Sequence, residues 1–586
     1  MPNPAETITV PIECPAGREG PLAWGQRAIL ATVSWLDTED TYFNIPLDWA
    51  LPGRHSVADV AGAIARLTET HESLRTVLVR AGADGEWRQR VERRDSLALE
   101  VYDIDASADV AEQSREVAAA LAARPFRLTE EWPVRWAVIR SEGAVPAVVL
   151  ALSHTAVDNW SLGVMRQDLL DLLAGQVPEP PARQPLDQVD FEGSARGAGR
   201  STESLRHWAR TLERAPHSMF DYPARTPEAK RYVRLGLDSR SLAVATHIVA
   251  DACRTSTTTV LLTAAACVLG AYTGHDPALL RLIVGNRHDP DARRTVSPLA
   301  QDGLLLLPRG DGTFHDAVKR GYLPAINAYK HGHYDPAVLA ETIRRNEHRW
   351  GVVHDKSAFF NDVRLTDRWT GLPAVADEGG LKALRAHNRV FEVGAYDRVD
   401  CKLFLAVTDR PDSAVLHLLG DTAYITRDEL TMLLNAMETL LVESAFGEVP
   451  LGELAAAVGI TPPDRPGDWV RVRGGRVDPE AVRRLVAEAA GAEASIVVEA
   501  GEPWPRLVAH VAAAPGGPTG PELHVAVVDA LRERTGVTAP DWYVLHDRAL
   551  PATEDPEAWQ TLGVLWQGDG RQEPPPIFLD SRPSEG

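Results

Sequence analysis

The segment AVVLALSHTAVDNWSLGVMRQDLLDLL, residues 147–173, restricts the fold more than any other stretch of the chain. Val148, Val149, Leu150, Ala151 and Leu152 follow one another with no polar residue between them. A strand with one wet face alternates, so five aliphatic side chains in series predict a strand covered on both faces. Leu162, Met165, Leu169 and Leu172 then recur at helical spacing. Between strand and helix stand Ser153 and His154, followed by Asp158, Trp160 and Ser161. His154 therefore falls on a strand-to-helix connection, where a rigid scaffold can hold an imidazole toward a cleft.

The same alternation continues on both sides of this segment. Residues 57–79 predict a helix, with Val60, Ile64 and Leu67 on one stripe, running into a strand at Thr76–Val79. Residues 111–123 predict a second amphipathic helix, and 134–152 two strands joined by the turn SEGA. Residues 172–190, LLAGQVPEPPARQPLDQVD, are proline-rich and without periodicity, which marks a candidate linker. A further helix–strand alternation reaches to about residue 447, and ITPPDRPGD at 460–468 is a second break. Beyond it the pattern reads strand VRVRGGRV, helix PEAVRRLVAEAA, strands ASIVVEA and RLVAHVAAA, helix GPELHVAVVDALRERTG and strand DWYVLHD, a small α+β module.

With 586 residues the chain is too long for one ordinary core. Its net charge of -21 argues against a nucleic-acid footprint or attraction to an anionic membrane. Cys14, Cys253, Cys267 and Cys401 lie far apart, with no spacing for a disulfide framework or a zinc site, and a reducing cytoplasm is the compartment that fits. MPNPAETITVPIE has neither a basic nor an apolar leader region, and no run of apolar residues is long enough to span a bilayer. No metal is expected.

The motif Ser153-His154-Thr155-Ala156-Val157-Asp158-Asn159 resembles the His-His-x-x-x-Asp-Gly core motif of the nonribosomal peptide synthetase condensation-domain superfamily, which also holds the chloramphenicol acetyltransferases. Other stretches resemble the same family in the same order: PLAWGQRAIL at 21, YFNIPLDWAL at 42, HESLRTVLV at 71, RPFRLTEEWPVRWAVI at 124, HWARTLERAP at 207, VGNRHDP at 284 and TFHDAVKRGYLPAINAYKHGHYDPAVL at 313. The resemblance implies an α/β fold of two chloramphenicol-acetyltransferase-like lobes, residues 1–180 and 190–450, forming a V-shaped pseudo-dimer. It further implies that His154 lies on the floor of a tunnel between the lobes and acts on the acceptor nucleophile, while Asp158 holds the loop through an arginine, with Arg287 and Arg75 as candidates. Ser153, Asn159, Trp160 and Ser161 would line the substrate channel. Ser153 replaces the family's first histidine, in a Ser-His-x-x-x-Asp-x-x-Ser form similar to that of some terminal condensation domains. Asn159 replaces a glycine; asparagine tolerates positive φ better than most residues, but it brings a side chain that narrows or polarises the acceptor channel.

Residues 465–570 resemble the small C-terminal subdomain of adenylation domains, on GDWVRVRGGRVDPEAVRRLV, PRLVAHVAAAPGGPTGPELHVAVVDALRERTG and APDWYVLHDRALPATEDPEAW. Where that family carries a lysine this chain reads Thr553-Glu554-Asp555-Pro556, and no nucleotide-binding core is present. The module is therefore expected to be degenerate, kept for docking or packing rather than for adenylation.

An acyl thioester is already activated, so joining it to an amine or alcohol needs a proton acceptor, correct positioning and stabilisation of an oxyanion, with no bound cofactor. An imidazole in water titrates near pKa ~6.5 and can serve as the base. The sequence thus points to a condensation enzyme making an amide or ester from a carrier-bound or coenzyme-A-bound acyl group. The carrier protein, bearing phosphopantetheine, is expected in trans, with a small amine or alcohol as acceptor and neither nucleic acid nor membrane as partner. The alternative is an inactive recruiting protein of a synthetase assembly line. The remaining features have plainer readings. His331, His333, His348 and His354 are expected to be solvated loop residues, and EWRQRVERRD at 86–95 a solvated hairpin face on which a carrier could dock. The glycines of Arg473-Gly474-Gly475 belong to the adenylation-like resemblance rather than to a phosphate loop.

Overall fold

The computed structural model describes residues 3–35, 41–81, 85–364, 366–513, 516–548 and 562–571. The chain divides into two compact units, one of Met1–Ser204, Ile283–Asp302 and His331–Pro336, the other of Leu205–Leu282, Gly303–Lys330 and Ala337–Gly586.

The first unit is built on a mixed five-stranded sheet ordered Glu6–Pro11, Ser96–Asp103, Val134–Ser141, Ala144–Ser153, Asn44–Ala50, in which only the second and third strands run parallel. The SEGA turn joins two of these strands through Glu142 and Gly143, both at positive φ, the backbone that matches the twist of a two-residue hairpin. Val148, Leu150 and Leu152 pack with Val60, Ile64 and Leu67 of helix Val57–Thr70 and with Met165 and Leu169 of helix Asn159–Leu173. The alternate residues Ala147, Val149 and Ala151 pack with Val117, Ala118 and Leu121 of helix Val110–Ala122. Helices thus cover both faces of the strand, which is why its sequence does not alternate.

A second, three-stranded sheet holds Arg18–Pro21, Glu86–Val91 and Thr76–Ala81. The basic hairpin at 86–95 is matched locally, with Arg88 and Arg90 on Glu19 and Arg94 on Glu92. Only part of 172–190 is linker-like: residues 174–182 are mostly exposed, Val177 at 88%, whereas the end of the segment is packed in the first unit. Asp187 pairs with Arg18, Gln184 bonds the Thr70 carbonyl, and helix Pro185–Gly193 carries Glu192 to the Trp24 amide.

The second unit has a seven-stranded sheet ordered Gln301–Leu307, Ala278–Val284, Ala358–Asp362, Leu403–Arg410, Ser413–Asp421, Tyr232–Ser239, Arg389–Tyr396. Helix Thr257–Thr273 is buried on every side, as a helix without a polar face must be, and is bounded by the Ser256 cap and by Gly274 at φ 72°. Among the described residues no single helix is long and apolar enough to cross a membrane.

The last part of this unit follows the predicted element order with one correction: VRVRGGRV, expected as a single strand, folds as the hairpin Val470–Val472/Gly475–Val477, because Gly474 turns the chain at φ 81°. Helices Pro479–Ala490 and Gly520–Ala530 accompany a four-stranded sheet ordered Ala494–Glu499, Arg506–Ala512, Trp542–His546, Val564–Gly568. Thr553–Pro556 fall outside the described residues. Several bonds tie this part to the rest of the unit, among them those at Asp221 and Gly351. Buried Asp221 receives Arg465 (3.0 Å) and the Arg476 amide (2.9 Å), and the Gly351 carbonyl accepts from the Ala539 amide (2.8 Å) and the Thr538 hydroxyl (3.0 Å).

Candidate active site

The strand Ala144–Ser153 ends on its pairing with Asn44, and the next residue turns out of the sheet: the His154 amide donates to the Phe43 carbonyl at 3.0 Å. The imidazole meets the Phe43 ring edge to face, with centroids 5.9 Å apart. His154 is half-buried, and its Nδ1 is enclosed without a hydrogen-bond partner among the described residues. Burial distinguishes the two ring nitrogens, leaving Nε2 as the one open to exchange.

Everything around this imidazole is fixed. Asp158 is 2% exposed and caps helix Asn159–Leu173. Its Oδ1 accepts from the Ser161 amide (3.0 Å), the Ser161 hydroxyl (2.8 Å) and Arg287 (3.0 Å); its Oδ2 accepts from the amides of Leu299 (2.9 Å) and Ala300 (3.1 Å). Burial lowers the proton affinity of the Arg287 guanidinium and the Asp158 charge raises it, the relation of a desolvated but matched ion pair. Arg287 also donates to the carbonyls of Thr295 and Ser297, both at 3.1 Å. Asn286 precedes it at φ 53°, a left-handed residue that turns the chain out of strand Ala278–Val284, with its amide on the Leu299 and Gly332 carbonyls.

Of the two arginines proposed for Asp158, Arg287 makes the pair. Arg75, although 1% exposed, lies with the Glu92 carbonyl (3.1 Å) and the Glu72 carboxylate (3.8 Å), because the short helical turn Glu72–Arg75 leads it toward its own hairpin. The four residues expected along a channel divide. Asn159 and Trp160 are exposed, while Ser153 and Ser161 are buried and take part in the bonding of the loop itself: Ser153 Oγ bonds Thr155 Oγ1 at 2.8 Å. Trp160, 42% exposed, donates its indole N–H to the Arg293 carbonyl at 2.8 Å. Asn159 does not occupy the left-handed backbone region; it is the first residue of its helix. Positive φ therefore does not account for asparagine at this position.

Sequence reasoning missed three supports of the loop. Ser73 donates to the Ala156 carbonyl at 2.5 Å, and buried His71 sets Nε2 2.8 Å from Asp168, which Arg294 also contacts. The segment Thr295–Ala300 supplies the backbone partners already named. HESLR was visible as a family-like stretch, but nothing in its own composition marks Ser73 as a loop anchor. Of the four histidines expected in solvated loops, two are buried: His333, 9% exposed, lies 4.8 Å from the Trp24 ring, and His354 is 4% exposed; His331 and His348 are half-buried, the latter within helix Pro336–Trp350. Among the described residues no cluster of three or more His, Cys, Asp or Glu could hold a metal ion.

Solved condensation-domain structures share this fold. The SgcC5 protein from Streptomyces globisporus superposes with a TM-score of 0.58 at 19% identity, covering 73% of this chain and 98% of that one. The condensation domain from the Monacolin K polyketide synthase MokA gives 0.58 at 16% identity, covering 74% and 99%. The family model described as Condensation domain matches residues 19–354, and the chain belongs to that family. Bacitracin synthase 2 of Bacillus licheniformis is 23% identical over 332 residues, 55% of this chain but 12% of that protein. Phosphinothricin tripeptide synthetase PhsC of Streptomyces viridochromogenes is 30% identical over 253 residues, 40% of this chain and 22% of that one. The chain thus spans a small part of the length of these relatives.

Proposed function

We propose that this chain joins an acyl thioester to an amine or alcohol, forming an amide or ester in the biosynthesis of a nonribosomal peptide or related natural product. The acyl group arrives on the phosphopantetheine of a separate carrier protein or on coenzyme A, as part of the substrate. What supports this reading is the placement of His154, fixed on a strand-to-helix turn with Nδ1 enclosed and the other edge of the ring open. The acceptor's N–H or O–H gives its proton to Nε2 as the nitrogen or oxygen attacks the thioester carbon. The C–S bond then breaks, and the imidazolium returns the proton to the departing thiolate. General-base assistance of this kind contributes ~10²–10⁴-fold, and positioning supplies the remainder. Asp158, Arg287 and Ser161 hold the loop, and Asn159 and Trp160 flank the acceptor. In the same reading residues 1–180 and 190–450 are the two acetyltransferase-like lobes and 465–570 a degenerate adenylation-type subdomain used in docking or packing.

Incubation of the protein with acyl-loaded carrier proteins and a panel of amines and alcohols, followed by intact-mass analysis, tests the assignment. Product should form, and His154→Ala should reduce it by ~10²–10⁴-fold at an unchanged melting temperature. Turnover by that variant at the wild-type rate overturns the base assignment. If the wild-type protein retains a carrier but forms no product with any acceptor, the recruiting-protein reading takes its place.

A further inference from the structure

The second unit, which does not contain His154, has a cleft of about 540 Å³ beside the hairpin Val470–Val472/Gly475–Val477. Six arginines line it: Arg214, Arg471, Arg473, Arg476, Arg506 and Arg571. Three carboxylates accompany them, and two of these are engaged by backbone: Asp276 accepts from the Arg309 and Gly310 amides, and Asp541 from the Leu507 amide. Such an excess of cations is unexpected in a chain of net charge -21. Among the described residues Arg214, Arg471, Arg473 and Arg506 make no ion pair, although carboxylates outnumber basic residues in the sequence. Two hydrogen-bonding nitrogens of the lining, His354 Nδ1 and Arg571 Nε, are buried without a partner among the described residues. The hairpin is held rigidly in place: the His217 amide donates to the Gly474 carbonyl at 2.6 Å, and a side chain at Gly474 would meet the His217 ring at 2.5 Å.

A concave site with unmatched guanidinium groups favours a compact ligand carrying several negative charges. Arginine matches phosphate oxygens in a bidentate fork, and a cleft with low-dielectric walls concentrates the field. A single carboxylate would leave most of these arginines uncompensated, whereas a pyrophosphate carries enough charge within a few ångströms. The lining also includes the indoles of Trp350 and Trp504, with Arg471 stacked 5.2 Å from the Trp504 centroid, and the volume is that of a small-molecule site. We propose that this cleft binds a pyrophosphate ester, at a site separate from the condensation chemistry and independent of that reading.

Calorimetric titration of the full chain with inorganic pyrophosphate, ATP and coenzyme A tests this. Saturable binding to a single site is expected, weaker at ~150 mM salt than at low salt. The doubly substituted Arg471→Ala/Arg473→Ala protein should bind about tenfold more weakly or worse at an unchanged melting temperature, since both side chains are exposed. Arg127→Ala, at an exposed arginine paired with Glu130, should bind as the wild type does. ATP binding tighter than pyrophosphate and sensitive to Trp504→Ala identifies a nucleotide as the source of the phosphates; the same behaviour of coenzyme A alone identifies the thiol carrier. Absence of saturable binding by all three probes at low salt overturns the proposal, as does equal loss in the Arg127→Ala control.

Discussion

Asp158 accepts five hydrogen bonds, and three of their donors, the Ser161 and Leu299 amides and Arg287, stay buried when the carboxylate is removed. Asp158→Ala should therefore cost about 3–5 kcal/mol and lower the melting temperature together with activity, because an uncompensated guanidinium remains inside. Asp158→Ala/Arg287→Met should recover part of that stability in thermal melts; a stable, inactive single variant would instead assign Asp158 to the chemistry. Asn159 calls for a different experiment. Its backbone is ordinary helix, so Asn159→Ala reports on the side chain alone, whereas Asn159→Gly also frees the backbone. Both should broaden acceptor use toward larger amines and alcohols and leave donor preference as it was, measured as relative rates across a panel. A changed donor preference with an unchanged acceptor profile would remove Asn159 from the acceptor side.

Among the elements, the connection at Gly351 leaves little room for a side chain. Its φ is 68°, and a Cβ there would come within 2.9 Å of the Ala539 Cβ. Gly351→Ala should destabilise by ~1–3 kcal/mol and make 460–468 more susceptible to proteolysis, without altering the His154 site. An unchanged melting temperature and cleavage pattern would show that the contact at Gly351 is not what secures the tail. Local patterns in the sequence revealed much of the fold. The run Val148–Leu152 gave away a strand covered on both faces, and Ser153-His154…Asp158 gave the strand-to-helix turn, because both are properties of neighbouring residues. The Gly351 junction and the anchoring of Ala156 by Ser73 depend on pairs far apart in sequence, which no local period records. Residues 184–190 misled for a related reason: a proline breaks periodicity equally in a free linker and at the start of a packed helix.

Over the whole molecule, buried histidines set the response to acid. Burial holds His217 and His524 down at about 4 and His354 well below its ordinary value. In the unfolded chain these rings titrate near ~6.5, so between that pH and ~4 the unfolded state binds more protons than the folded one. The stability is thus fully present above pH ~6.5 and is lost as pH falls toward ~4, with His524 alone contributing on the order of 3 kcal/mol across the window. Paired carboxylates such as Asp355, held low in spite of their burial by partners such as Lys402, lose their contribution only at more acidic pH. Melting temperature should fall steadily from pH 7 to 4.5, and more gently in His524→Gln. A flat profile over that range would contradict the assignment.

The residues that complete the His154 loop leave the ribosome late. Arg287 follows Asp158 by 129 positions, and Leu299 and Ala300 come later still, after the chain has left the first unit at Ser204 and made part of the second. At ordinary rates of synthesis that interval is on the order of ten seconds. During it the nascent sheet already carries an aspartate whose partners do not yet exist, so the first unit cannot mature as an independent folding event. A ribosome stalled before residue 287 should therefore display a chain with its strands collapsed and its reactive loop unset. Chaperone dependence in translation is expected to peak in that window.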